Sequence, residues 1–290
     1  MIRRKVLLAA ATSVATTGIA LAQDAPPDGE AVPAPDGPPP LVLGKGKISI
    51  AGSTLNISLS ADAAAEPIAL APSVWYGVKE KLTVGLTHDG GATPWSPRPA
   101  LLAVYGLDLG GNPEAFPASG GICLTGSDNG CDDPYGNVGF DALYSLKHGK
   151  LSIAGHPALD IADFAPFVLQ LRVGVLGRYL VNDKVSVVFD PRIELSLTDR
   201  EFSKDVIDLP VWGWYAVNTR LGAYVHTGIA GSFAGFGDVF RIPLQVGASF
   251  AINAKVTAGV DFAFANLVGR GGGFDDRALG LRFAYALSRK

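Results

Sequence analysis

The chain has 290 residues, of which 48% are apolar and only 18% charged, with a formal net charge of −3 and a mean hydropathy of +0.26. Soluble domains carry about 25% charged residues, so the composition points to a membrane, yet beyond the N-terminus no stretch approaches the ~18–20 apolar residues of a spanning helix. A helical membrane protein is thereby excluded, the 36 glycines disfavour a helical bundle, and the weak acidity leaves no electrostatic footprint for nucleic acid.

Residues 1–22 read as a secretory signal peptide. Arg3, Arg4 and Lys5 form a basic start, an apolar stretch follows from Val6 to about Ala15, and Ala20-Leu21-Ala22 supplies the small residues of a cleavage site. Residues 23–43 read as a disordered linker on the periplasmic side, because proline, Asp, Glu, Ala and Gly dominate it and little in it can be buried. Residues 44–290 form the folded part.

Five short polar turns punctuate that part: Lys79-Glu80-Lys81, Lys147-His148-Gly149, Asn182-Asp183-Lys184, Asn218-Thr219-Arg220 and Asn253-Ala254-Lys255. The last three intervals between turns are each about 35 residues, and alternating apolar residues flank every turn, so each predicts a tight β-hairpin. Around Asn182 the pattern is clearest. Phe167, Leu169, Leu171, Val173 and Val175 occupy one phase, and Gln170, Arg172 and Gly174 the other. Side chains alternate across a strand, so one face is apolar and the other carries full charges.

The strands are predicted at about 46–59, 67–78, 82–88, 137–146, 150–160, 166–181, 184–198, 206–217, 220–231, 239–252, 255–266 and 275–288. The first shifts phase between Ile50 and Leu55, which predicts a bulge near Gly52. The fold class is all-β, a closed antiparallel up-and-down transmembrane barrel of twelve strands. The tight turns share one end and longer loops the other. The outlier is the loop 89–136. Its apolar segment 100–109 is compatible with a short helix, a lid or an extra hairpin, and the last choice would raise the count to fourteen. Cys123 and Cys131 flank a polar stretch in this loop, and in an exported chain they predict a disulfide.

Four residues before each turn midpoint stand Tyr76, Tyr144, Tyr179, Tyr215 and Phe250, all on the apolar phase, and Tyr285 occupies a similar place near the C-terminus. Aromatics at one fixed depth predict the girdle of a transmembrane barrel. On the polar phase, the predicted lumen-lining set is Asp141, His156, Arg172, Arg178, Asp190, Arg192, Glu194, His226, Arg241, Gln245, Asp261 and Arg282. Charges on the lipid face are costly, so these residues must face a lumen or one another.

These features together resemble bacterial outer-membrane β-barrel proteins: the signal ending Ala20-Leu21-Ala22, the short turns, the aromatic ring and the closing strand Leu279 to Leu287. The resemblance covers nearly everything after residue 44. It implies insertion into the Gram-negative outer membrane by the barrel assembly machinery, contact with outer-membrane lipids, both mature ends in the periplasm and long loops outside. One departure is the ending Leu287-Ser288-Arg289-Lys290, where such barrels commonly finish on an aromatic residue.

The expected function is a small passive channel, porin-like, with a charged lumen that passes small solutes. The alternative is a non-conducting structural or surface-interaction barrel that presents the disulfide-closed loop. An enzyme is not expected: His88 and His148 have no serine in a nucleophile context, and neither G-x-S-x-G nor H-E-x-x-H occurs. No cofactor is indicated. No metal is indicated either, because the spacing of Asp128, Asp132 and Asp133 departs from a calcium loop. Neither a permeant solute nor an oligomeric state is specified.

Overall fold

The computed structural model describes residues 41–59, 64–88, 122–125, 137–164, 167–200, 204–237, 240–269, 273–274 and 277–288, together with Tyr135. The strands are β1 Lys47–Leu59, β2 Ala64–Lys79, β3 Leu82–Thr87, β4 Ile122–Thr125, β5 Val138–Lys147, β6 Leu151–Phe164 and β7 Phe167–Leu180. They continue with β8 Val185–Phe189, β9 Arg192–Ser196, β10 Val206–Ala216, β11 Leu221–Ser232, β12 Arg241–Ala251, β13 Val256–Gly269 and β14 Arg277–Ser288. All pairings between them are antiparallel. β1 hydrogen-bonds both to β2 and to β14, so the sheet closes on itself and no edge remains on the ring.

The barrel has twelve staves, as the alternation predicts. The strand expected at 184–198 is broken at Asp190-Pro191 into β8 and β9, but both pieces lie between β7 and β10 and form one stave. Proline has no N–H to give the ladder, yet the Pro191 carbonyl still accepts from Val175 N at 3.1 Å. The predicted bulge is present, since the β1–β14 register slips between Ile50 and Leu55.

β4 is an addition to the expected strands. β3 ends at Thr87, and Ile122 to Thr125 of the long loop pair with Ile68 to Leu70 of β2 beyond it. The segment 100–109 and Cys131 lie outside the described residues, as does the side chain of Cys123, so the predicted disulfide does too.

The repeat in the sequence has a local cause. In three turns an asparagine side chain organises the backbone. The Oδ1 atoms of Asn182, Asn218 and Asn253 each accept from the N–H groups two and three residues on, at 2.8–2.9 Å. These are Asx turns, which need a short side-chain carbonyl at that one position.

Outside, the barrel is apolar. Val74, Val84, Phe140, Val173, Val225, Val246, Val260 and Phe283 are all exposed. A soluble protein does not display such a surface; hydrocarbon demands it. Tyr76, Tyr144, Tyr179, Tyr215, Phe250 and Tyr285 are exposed as well. Five of them stand opposite the first residue of a neighbouring strand: Tyr144 opposite Leu82, Tyr179 opposite Leu151, Tyr215 opposite Val185, Phe250 opposite Leu221 and Tyr285 opposite Val256. They therefore share one height above the tight turns.

Inside, large side chains lie over glycines of the next strand. Trp75 covers Gly85, where an added Cβ would meet the indole at 2.5 Å, and Tyr224 covers Gly247 in the same way at 2.4 Å. Gly85→Ala is therefore expected to destabilise the barrel by about 1–3 kcal/mol, the usual cost of overpacking. Urea unfolding of lipid-reconstituted protein measures it, and unchanged stability would show that the indole has room to move.

Candidate functional site: the barrel interior

The inner face divides by height. The strand register gives the order on one wall, counted from the tight turns: Ser152, Arg178 and Val188; then Ala154 and Leu176; then His156, Gly174 and Arg192; then Ala158, Arg172 and Glu194; then Asp160, Gln170 and Ser196. The lower part of this wall is mainly apolar and the upper part ionic.

The upper part forms a connected ladder across β5 to β10. Asp141 accepts from Thr87 Oγ1 at 2.5 Å and from Arg172 Nη2 at 2.6 Å, and it lies 2.9 Å from His156 Nε2. The other ring nitrogen of His156 lies 3.1 Å from Asp190. Arg172 also reaches Asp160 at 3.2 Å. Arg192 continues the chain to Glu194 at 3.0 Å and to Asp208 at 2.6 Å. Arg172, Asp190 and Gln245 expose none of their surface, and His156 exposes 1%. Such charges persist in a low-dielectric interior only when paired and hydrogen-bonded.

The opposite wall has its own cluster. Asp261 accepts from Arg282 Nε at 2.7 Å and from Gln245 Nε2 at 2.7 Å. The amide of Gln245 also contacts the Tyr224 hydroxyl at 3.1 Å, and the Arg282 guanidinium sits 5.0 Å from the Tyr224 ring centre. His226 is stacked on Trp212, with ring centres 4.6 Å apart.

Of the twelve residues picked out on the polar phase, Asp141, His156, Arg172, Asp190, Arg192 and Glu194 gather in the first cluster, and Gln245, Asp261 and Arg282 in the second. His226 stands beside Trp212, and Arg241 is half-buried at the loop end of β12. Arg178 stands apart from both clusters, low on the wall. Asp160, Asp208, Thr87 and Tyr224 are partners that the sequence reading did not single out. Their phase was the available signal: Asp160 shares the parity of His156 on β6, and Asp208 that of Trp212 on β10.

Toward the tight turns, around Arg178, the interior is mainly apolar. Leu41, Val42 and Leu43 are buried against Trp75, Leu143, Leu176, Val188, Trp212 and Tyr224. The sequence reading placed these three residues at the end of the linker; in the structure they are wall-to-wall packing within the barrel mouth. Leu43 N donates to Thr83 Oγ1 at 2.7 Å, and Gly46 N donates to Gly77 O at 2.8 Å. Gly77 is required by this approach, because a Cβ there would lie 2.1 Å from the Gly44 carbonyl oxygen. His88 is buried and hydrogen-bonded to the Pro72 carbonyl and, at 2.8 Å, to the Tyr135 hydroxyl.

Removing one member of a buried pair strands its partner. Arg282→Met is expected to destabilise the barrel by about 3–5 kcal/mol, and Arg282→Met combined with Asp261→Asn to recover most of that loss. Unfolding midpoints of the two singles and the double decide it. Additive losses would mean that the pair is not an energetic unit.

No protein-family model matches the chain, and no curated protein matches it. Solved structures do. The NanC porin superposes with a TM-score of 0.51 at 7% identity, covering 84% of this chain and 100% of its own. The KdgM porin, solved in complex with disordered oligogalacturonate, gives 0.50 at 10% identity and covers 82% and 98%. At such identities the likeness is one of fold, and the fold is that of an outer-membrane porin, here a closed antiparallel barrel of twelve staves.

Proposed function

We propose that the chain is a small-solute channel of the outer membrane, closed at its tight-turn mouth by Leu41 to Leu43. The observation that carries this reading is the ionic interior. Replacing buried ion pairs by well-packed apolar side chains is often neutral or stabilising, so an interior that served only to fill the barrel would have no need of two charged clusters. The twelve polar-phase residues are read as the lining of the passage. The porin fold of the structural neighbours agrees with this by analogy. Export on residues 1–22, insertion by the barrel assembly machinery and a Cys123–Cys131 bridge in the long outer loop belong to the same reading.

A second reading has its own support. Arg172, Asp190 and Gln245 are completely buried, as expected of a non-conducting structural barrel. The two readings part at the segment 41–43. Fully burying one Leu or Val side chain contributes about 1.5–3 kcal/mol, so three of them hold the mouth closed firmly. Deleting Leu41 to Leu43, or displacing them with Gly77→Val, is expected to raise the open probability in planar bilayers at least about tenfold, since 1.4 kcal/mol is already tenfold. Silence from the wild type and both variants, each correctly assembled, would favour the structural barrel.

A further inference from the structure

A cavity of about 390 Å³ opens at the tight-turn end between β7, β8, β10 and β11. Its size suits a small organic ligand. Leu41, Leu176, Val188 and Trp214 give it apolar walls, and Arg178 lines it among them. Lys184 and Arg220 stand at its rim with a single acidic neighbour, Asp183. The surrounding mouth has the same sign. Each of the other tight turns carries basic residues too, among them Lys79, Lys81, Lys147 and Lys255, although the chain as a whole is acidic.

Arg178 is the unusual residue. It is only 6% exposed, its Nε and Nη2 atoms have no hydrogen-bond partner among the described residues, and, unlike the other buried arginines, it makes no ion pair among them. The buried arginines higher in the barrel are all neutralised: Arg172 by Asp141 and Asp160, Arg192 by Glu194 and Asp208, and Arg282 by Asp261. Beside Arg178 the register places Ser152 and Val188, which carry no charge. A guanidinium is a planar fork of donors that matches a carboxylate in two parallel hydrogen bonds. Here such a fork is buried, lines a cavity and has no carboxylate partner among the described residues.

We propose that this vestibule binds a small organic anion with an apolar body, of the class of aromatic carboxylates. The carboxylate takes the unused donors of Arg178, and the body lies against Leu41, Leu176, Val188 and Trp214. Lys184 and Arg220 attract the anion to the mouth by long-range field, an effect that salt screens. The proposal deepens the channel reading by naming the solute class met at the tight-turn mouth, and binding is measured independently of conduction.

Isothermal titration of the detergent-refolded full chain tests it, with benzoate as the probe and neutral benzamide of the same shape as the comparison. Saturable benzoate binding is expected, with benzamide at least about tenfold weaker, since each hydrogen bond to a charged group is worth about 1.5–3 kcal/mol. Arg178→Gln should weaken benzoate at least about tenfold, while Arg178→Lys keeps part of the affinity and Lys204→Gln, at the loop end of the barrel, keeps all of it. Heat-modifiable gel mobility verifies that each variant is a folded barrel. Equal affinity for benzoate and benzamide in the wild type, or undiminished benzoate binding by folded Arg178→Gln, overturns the site. Benzoate binding together with silence from the wild type and both opened variants would leave the site standing and remove the channel; conduction by the opened variants with no benzoate binding would do the reverse.

Discussion

The pairing of β1 with β14 is the contact on which the rest of the molecule depends. In hydrocarbon an unsatisfied backbone N–H or C=O has no water to turn to, so a sheet survives only if its ladder closes. Lys47 to Ile50 and Leu55 to Ser58 meet Ser288 to Tyr285 and Leu281 to Ala278, and the ring is complete. The bulge between the two runs belongs to that closure, because it lets one strand keep both its neighbours in register. Once the ring is closed, each side chain has only two destinations, lipid or lumen. The exposed aliphatic band, the aromatics at one height and the concentration of charge inside all follow from that division.

Confining charge to a narrow interior sets the next constraint. Acidic and basic side chains on neighbouring staves come close enough that leaving them unmatched would cost more than ordering them. The ladder from Thr87 through Asp141, His156, Asp190 and Arg192 to Asp208 therefore spans β3 to β10 without a gap, each member serving as the counter-charge or hydrogen-bond partner of the next. Glycines make room for it. Gly280 lies under the Asp261 carboxylate, and Gly174 under Asp190 and Arg192. The high glycine content, which in the sequence argues only against helices, is in part the inner surface over which these side chains lie.

The staves, their order and the bulge near Gly52 were legible because each leaves a periodic trace: alternation along a strand, an asparagine at the same turn position, an aromatic four residues before the turn midpoint. The inward charges were legible for the same reason, as polar residues on an otherwise apolar background. What escaped was whatever breaks the period or hides within it. Trp75, Leu143, Leu176 and Trp212 are apolar residues on the polar phase, so alternation alone could not reveal an apolar collar. The break at Pro191 leaves the parity of β8 and β9 intact and is invisible to a count of phases. Leu41 to Leu43 follow a run of prolines, and three apolar residues beside such a run carry no period at all. β4 gains its place only by pairing with the part of β2 that β3 leaves free.

The collar and the ladder lie at different heights, and that separation explains which cations are matched by the protein itself. Deeper in the barrel than Arg178, Arg172 is matched by Asp141 and Asp160, Arg192 by Glu194 and Asp208, and Arg282 by Asp261, so their counter-charges are built in. Arg178 sits on the near side of the same collar, in a vestibule that meets solvent through a basic rim. A cation there can be matched by something that diffuses in. The chain thus supplies carboxylates to the arginines buried deepest and, among the described residues, none to the one that lines the open vestibule, beside the apolar cluster to which Leu41, Val42 and Leu43 contribute.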